Sequence, residues 1–583
     1  MNDLDNKRHS LAHLLASAVL EKFPDAQLGV GPVIENGFYY DFLLPQPLTP
    51  EDLPQLEARM KELVQANLAF EREDKSFDDA RKFFEEVNQP FKIELINDLE
   101  KATEVSSVSL YQTGKFIDLC RGGHVEKTSE IDPDSFILDR ISGAYWRGNQ
   151  ENAQMQRIYG LAFDTKTDLD EYLAHRVEAE KRDHKRLGKE MGLFTFSSLV
   201  GPGLPLYMPN GSVVRTTLLQ YITELKEKRG YSFVWTPHLA KEELYKQSGH
   251  LGKYDAMLPS INADGDKLVL KPMNCPHHFQ IYNAEPKSYR DFPIRIAENA
   301  TVYRNEKSGE LNGLFRVRSL TQDDTHHFVR HDQIPSEIDM ILQLTQEVYE
   351  KFGFKNYHVE ISVRDQKNKD AYFGSDDLWE TAEKALIEAV ERWGVSYQIV
   401  EGEAAFYGPK IDIRVQDALG RTWQLTTLQL DYNQPENFDM QYVANDGTKQ
   451  RPAVLHVAIL GSIDRFMGIL IEQFAGAFPI WLHPTQVAVL PISEKQNEYA
   501  QSIIANLKEA VPNLRITADG RNESIGKRIR EQSKMKVPYI LVVGDKELQT
   551  KTIAIRGRND EDLGTIPITD FIAKIKQEIE TRK

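Results

Sequence analysis

The chain has 583 residues, 41% of them hydrophobic, enough globular material for roughly three to five domains. Its net charge of -17 excludes a generic polyanion binder, which needs a broad basic surface, but leaves room for local basic patches. No apolar run approaches the ~20 residues of a membrane span, MNDLDNKRHS lacks a secretory apolar segment, and two cysteines argue against a disulfide framework, so a reducing cytoplasm is expected.

Residues 6–23 are predicted as an amphipathic helix, because Leu11, Leu14, Leu15, Ala18, Val19 and Phe23 recur at helical spacing and Pro24 closes it. His9 and His13 are four apart and share a face. In GVGPVIENGFYYDF, Asn36-Gly37 reads as a hairpin turn between short strands, and a charged helix is expected over 50–70. In FIDLCRGGHV a strand carrying Asp118 and Cys120 enters a Gly-Gly turn that ends at His124. HxxxH together with CxxxH could supply four metal ligands, or could be a helix face and an unrelated turn. Residues 167–195 mix charges around the thin seam Leu169, Leu173 and Val177, which predicts a solvated linker helix.

The segment from Lys271 to Phe328 gathers three chemistries: KPMNCPHH, YRNE and RVRSLTQDDTHHF. Cys275 among histidines is a ligand set suited to zinc. Arg304, Arg316 and Arg318 offer planar forks for phosphate or carboxylate oxygens, and strand alternation would aim Arg304 and Arg316 into one cleft. FYGPKIDIRVQDALGRTWQLTTLQLDY has hairpin character about Ala418-Leu419-Gly420. VLHVAIL is predicted as a strand broken by Gly461, with Ser462 as N-cap of a helix whose first turn holds Arg465, where free N–H groups attract anions. His456 on that strand could equally be a hydrogen-bonded core residue. Residues 486–583 alternate strands with helices near 494–510, 523–533 and 568–582, a mixed-sheet α/β pattern. Arg521, Lys527, Arg528, Arg530, Lys534 and Lys536 cluster there.

MNCPHH, YRNE…RVRSLTQDDTHHF and LHVAILGSIDRFMGILIE resemble the catalytic core of the class II aminoacyl-tRNA synthetases, nearest the threonyl-tRNA synthetase family. HSLAHLL…DLCRGGH…GAYWRG resembles the editing domain of its bacterial members, and ADGRNESIGKRIR…PYILVVGDKE…IAIRGR the anticodon-binding domain. The resemblance implies an α+β multidomain protein: an α+β editing domain (1–166), the linker helix (167–195), a class II antiparallel-sheet catalytic core (185–485) and an α/β anticodon-binding domain (486–583). The ubiquitin-like domain that often precedes the editing domain is expected to be absent.

The implied activity is a threonine–tRNA ligase. It would join threonine to the α-phosphate of ATP, pass it to tRNA(Thr), and hydrolyse mischarged seryl-tRNA(Thr). Arg304, Arg316, Arg465 and Lys410 would be catalytic, and Cys275, His326 and His456 would hold zinc, with Mg2+ accompanying ATP. Met273, Glu306, Gln322 and Asp324, with Tyr407, Gln424, Thr427 and Gln429, would bind threonine and ATP. Editing would fall to His9, His13, Tyr40, Lys92, Asp118, Cys120 and His124, and anticodon reading to Asn522, Glu547 and Arg556. A homodimer built on the Ser212–Arg229 helix is implied. Leu425-Thr426 stands where many bacterial members have Cys-Gly, which puts the local pocket shape in question. Two rival classes are a zinc-dependent deacylase acting only at the histidine cluster and a non-catalytic tRNA- or mRNA-binding relative; the joint presence of Arg304, Arg465 and the Cys–His–His set speaks against both.

Overall fold

The computed structural model describes residues 3–102 and 105–582. The chain divides into two compact units, residues 1–177 and 178–583, and the division falls inside the helix Lys166–Arg182. The stretch expected as one linker helix is two, Lys166–Arg182 and His184–Glu190. Asp183 separates them, its carboxylate accepting the Arg186 N–H as N-cap of the second. Among the described residues no helix is long and apolar enough to cross a membrane.

In the first unit, helix Asp3–Lys22 buries Leu11, Leu14, Leu15, Ala18 and Val19 in a core shared with a five-stranded sheet. Its strands include Gly37–Leu43, Gln154–Ala162 and Phe136–Tyr145. Val33–Ile34 folds back on Gly37–Phe38, the expected hairpin. The helix expected over 50–70 occupies Leu53–Gln65, and Asn67 with φ 52 lies just beyond its end. A second, antiparallel sheet joins Glu71–Ser76, Ser107–Thr113 and Phe116–Leu119.

The second unit is built on an eight-stranded sheet. Five of its six inner strands are β1 (Ile294–Tyr303), β2 (Ser319–Val329), β3 (Lys410–Gln416), β4 (Thr422–Asp431) and β5 (Ala453–Ser462). The order is Ser232–Phe233, β1, β2, β5, β4, β3, Tyr357–Val363, Tyr397–Glu401. Neighbours are antiparallel except at the two edges, where the pairs are parallel. Helices α1 (Pro209–Glu227), α2 (Cys275–Asn283) and α3 (Ile463–Gln473) frame it. Proline near its start suits α1, and Val214, Leu218, Tyr221, Ile222 and Leu225 make one buried stripe. Each such side chain contributes about 1.5–3 kcal/mol when fully buried.

Gly461 does not end β5. The strand runs to Ser462, and Gly461 (φ 68) lies in a bulge where Gln322 faces Ser462 but Asp324 faces Ala458. A Cβ at 461 would stand 2.7 Å from the Leu425 carbonyl oxygen, so glycine is required twice over.

Residues 487–567 form a separate five-stranded mixed sheet with two parallel and two antiparallel pairings. Its fifth strand, Asp562–Pro567, and the short helix Asp545–Thr550 were not expected from the sequence. The last helix, Ile568–Glu580, leads to Arg582, which pairs with Glu224 on α1 and lies over the rings of Tyr221 and Trp481.

Candidate active site and a second histidine cluster

A cavity of about 310 Å³ opens over β2, β4 and β5. Alternation brings Lys410 and Asp412 on β3, and Thr427, Gln429 and Asp431 on β4, to one face. Lys410, Gln424 and Thr427 all bond the buried carboxylate of Asp412, at 2.6, 2.6 and 2.8 Å. The Tyr407 hydroxyl donates to Gln429 at 2.6 Å. Met273, Gln322, Asp324, Arg304 and Arg465 complete the part of the wall that was expected.

Arg304 and Arg465 decide the character of this cavity. Neither has a carboxylate partner among the described residues. Arg465 donates to the Phe315 carbonyl at 2.9 Å, and the Nε of Arg304 is buried without a partner. Burial, reinforced by Arg304 and Arg316, pushes the Arg465 guanidinium below its usual range. Two half-buried, unneutralised forks in one polar cavity are a site for an anion.

Arg316 behaves otherwise. β1 ends at Tyr303 and β2 begins at Ser319, so Arg304 and Arg316 lie in the connection and strand alternation does not align them. Arg316 turns outward, held by Glu306 at 2.8 Å and Glu310 at 3.4 Å. It and Glu306 are not in the cavity wall.

At the opposite end, Cys275, His326 and His456 place their ligand atoms within 4.8 Å of one another. Cys275 opens α2, while His326 and His456 face each other across β2 and β5. His456 Nε2 lies 2.9 Å from Asp431, and His326 Nδ1 lies 2.8 Å from His278 Nδ1. One nitrogen of each ring is thus held from behind and the other is left for a metal. Burial keeps His326 neutral, with His456 and His278 adding to the effect, and raises the Cys275 thiol, with Asp324 and Asp431 adding to it. The imidazoles of His326 and His456 with a thiol that a cation would deprotonate fit zinc. Asp324, its carboxyl raised by burial, lines the same cavity.

Of the Leu425-Thr426 pair that put the pocket shape in question, Leu425 lines the cavity; the sequence reading missed Asn274, Leu320 and Ser462 in its wall, and Asp412 and Asp431 behind it. The period-two spacing of Lys410 with Asp412, and of Gln429 with Asp431, was the available signal. Asp183, His184 and Glu472 also converge. Both nitrogens of His184 are occupied, by Glu472 at 2.7 Å and the Leu314 N–H at 3.1 Å, which makes that group a structural tie.

In the first unit His9, His13, Cys120 and His124 gather their ligand atoms within 4.8 Å. Cys120 Sγ is 3.2 Å from His124 and 3.5 Å from His9. Burial, then His13 and His9, lower His124 to about 2, and burial pushes Cys120 up to about 11. Behind them the Tyr40 hydroxyl donates to Asp118 at 2.5 Å and accepts from Lys92 at 2.9 Å, while Lys92 also pairs with Asp118 at 2.6 Å. All seven expected residues fall into these two adjoining groups.

The expected anticodon residues are less concentrated. Asn522 is exposed after the strand Ile516–Ala518. Glu547 accepts the Gly544 N–H at its own helix start. Arg556 faces Ile540, near the start of strand Tyr539–Val543, and pairs with Asp560. The basic cluster is thinner than its sequence suggests. Arg528 is buried on backbone carbonyls, Arg521 is held by Asp519 and Glu531, and Lys527 by Glu523.

Residues 259–474 match the family described as tRNA synthetase class II core domain (G, H, P, S and T), 486–578 the Anticodon binding domain, and 108–159 the Threonyl and Alanyl tRNA synthetase second additional domain. The fold and cavity are thus those of a class II aminoacyl-tRNA synthetase. A threonine–tRNA ligase of Dehalococcoides mccartyi is 47% identical over 583 residues, covering 100% of this chain and 98% of its own. One from a Geobacillus species is 47% identical over 580 residues, covering 99% and 89%. The crystal structure of the RNA binding domain of threonyl-tRNA synthetase from Cryptosporidium parvum superposes with a TM-score of 0.65 at 35% identity, over 68% of this chain and 98% of that one. The chain belongs to the threonine–tRNA ligase family.

Proposed function

We propose that the chain activates threonine with ATP, transfers it to the 3' end of tRNA(Thr), and hydrolyses mischarged seryl-tRNA(Thr). The observation that carries this reading is the pair of unneutralised arginines sharing one cavity with a Cys–His–His set. In the first step the threonine carboxylate attacks the α-phosphorus, a P–O bond forms, and the bond to pyrophosphate breaks. Arg304 bridges the carboxylate and the α-phosphate, and Arg465 takes the far phosphates and adenine. Lys410, fixed by Asp412, adds positive charge, so catalysis is positioning and charge stabilisation. ATP enters as its Mg2+ complex. In the second step a terminal ribose hydroxyl of the tRNA attacks the acyl carbon and AMP leaves.

Cys275, His326 and His456 would hold zinc, which when bound supplies a Lewis-acid anchor for the amino and hydroxyl groups of the substrate. Asp324 accepts the hydroxyl proton, so valine leaves a buried carboxylate unmatched. Serine keeps the hydroxyl and lacks one methyl, worth only about 1–3 kcal/mol, and a second, hydrolytic site is therefore needed. The His9–Cys120–His124 group with its Tyr40–Asp118–Lys92 support is that site, in a domain spanning about residues 1–166.

The domain from 486 onward reads the anticodon through Asn522, Glu547 and Arg556, along hydrogen-bonding edges of unpaired bases. A homodimer is supported by Leu199, Val200, Leu206, Met208 and Trp235, apolar and exposed around α1, Trp235 to 75%. The two free cysteines suit a cytoplasmic setting. Threonine-dependent ATP–pyrophosphate exchange, run with metal analysis of the purified protein, tests the reading. No exchange, or equal exchange with valine, would overturn it.

A further inference from the structure

The bulge between β2 and β5 leaves Ile459, Leu460 and Gly461 opposite the single residue Asp323. Peptide groups there have lost their ladder partners, and buried ones must find others. Asp323 supplies two: Oδ2 accepts the Ile459 N–H and Oδ1 the Leu460 N–H, both at 3.0 Å. The Thr426 hydroxyl donates to the Ile459 carbonyl at 2.7 Å and is backed by the Tyr349 hydroxyl at 2.8 Å. A fully buried carboxylate needs a countercharge. Lys226, from the last turn of α1, brings Nζ to 3.0 Å from Asp323 Oδ2, 2.5 Å from the Asp323 carbonyl and 2.8 Å from Thr325 Oγ1. Its three donors are all engaged.

Gln322 and Asp324 on one side of the bulge, and Ala458, Gly461 and Ser462 on the other, wall the cavity. Ser462 then accepts the Arg465 N–H and starts α3. Lys226, Asp323 and Thr426 do not themselves line the cavity. We propose that these three side chains are positioning residues which, by clamping the bulge, set where Arg465 meets ATP. The proposal rests on the reading of the cavity as the threonine-activating site. His326 and His456 lie in the regular part of the ladder beyond the bulge, so the clamp governs the nucleotide end and leaves the metal end alone. Thr426, where the sequence departs from its family, is thereby given a role in the bulge and not in the pocket wall.

The test is exchange kinetics of Lys226→Met and Thr426→Val in the full chain, varying ATP and threonine separately, with zinc content and thermal melting recorded. A displacement near 1 Å costs on the order of a hundredfold, so Lys226→Met is expected to lower kcat by about that factor. Thr426→Val keeps the side-chain shape; it is expected to raise KM for ATP roughly tenfold, a fraction of that displacement, with KM for threonine and zinc content unchanged. Should Lys226→Met not fold, Thr426→Val still decides. Unaltered kinetics in a folded Thr426→Val would overturn the clamp, as would equal rises in both KM values together with a lower melting temperature. Absence of exchange in the unaltered chain would instead overturn the functional reading, and the clamp's role with it.

Discussion

Cys275 and Cys120 are both buried beside imidazoles, yet the charges around them are arranged differently. The arginines that share a cavity with Cys275, Arg304 and Arg465, have no carboxylate partner among the described residues. Around Cys120 the buried cation, Lys92, is already spent on Asp118 and Tyr40. One set of ligand chemistry therefore sits in two different electrostatic settings. The first cavity holds two cationic forks with no carboxylate partner among the described residues; the second holds neutral imidazoles and a thiol that burial keeps protonated. The difference lies in the partner of the cation, not in the cysteine or histidines.

The sharpest way to break this contrast is Arg304→Ala. Loss of one preorganised donor costs about a hundred- to a thousandfold, so threonine-dependent exchange should fall by at least that much while seryl-tRNA hydrolysis persists. Parallel loss in both assays would mean that the two fields are not independent. Next comes a reciprocal pair. Cys275→Ala should abolish zinc binding and threonine activation but spare seryl-tRNA hydrolysis. His9→Ala with His13→Ala should spare activation and let seryl-tRNA accumulate. Metal analysis and the two assays on the same preparations would expose any crossover.

Protons give a smaller effect. His124 is held neutral in the fold at about 2 against an ordinary 6.5, so the unfolded chain takes up the proton first. Stability from this group is complete above pH 6.5 and is lost as pH falls from 6.5 towards 2. The slope is roughly 1 kcal/mol per pH unit. Melting curves of the full chain should therefore decline less steeply below pH 6.5 in His124→Asn; an identical decline would rule out this linkage. The smallest expected change is Tyr40→Phe. It removes a bridge between Lys92 and Asp118 but leaves their ion pair, at a cost of about 1 kcal/mol, measurable by denaturant titration. A much larger loss would mean that the hydroxyl, not the lysine, organises that group.

Much of this arrangement is legible in the residues themselves. The alternation in VLHVAILG marks β5 as a strand but leaves His456 open between core residue and ligand, and only the family resemblance joined it to Cys275 and His326. The Asn36-Gly37 turn and the mixed C-terminal sheet were legible for the same reason, since local spacing carries them. What stayed hidden depends on contacts far along the chain. Arg316 reads as a twin of Arg304 until Glu306 is seen to hold it outward. Gly461 reads as a strand end, whereas the strand passes through it because Asp323 supplies the missing partners. The basic run near Arg528 reads as a surface patch, although its central residue is turned inward onto the Asp519 carbonyl. The linker helix looked continuous because nothing but the cap geometry of Asp183 interrupts it.

The contact of Arg582 with Glu224 spans 358 positions, and this sets its place in the order of folding. Closing a flexible loop of that length costs ~5 kcal/mol by chain statistics. A half-exposed ion pair of this kind returns about 1 kcal/mol, and a cation over the rings of Tyr221 and Trp481 about 0.5–2 kcal/mol more. The contact cannot hold the ends of an unfolded chain together. It forms only once the eight-stranded sheet and the C-terminal sheet have each been built and brought side by side. Arg582 against Trp481 is therefore a marker of completed assembly, and the indole is positioned to report optically on the last step of folding.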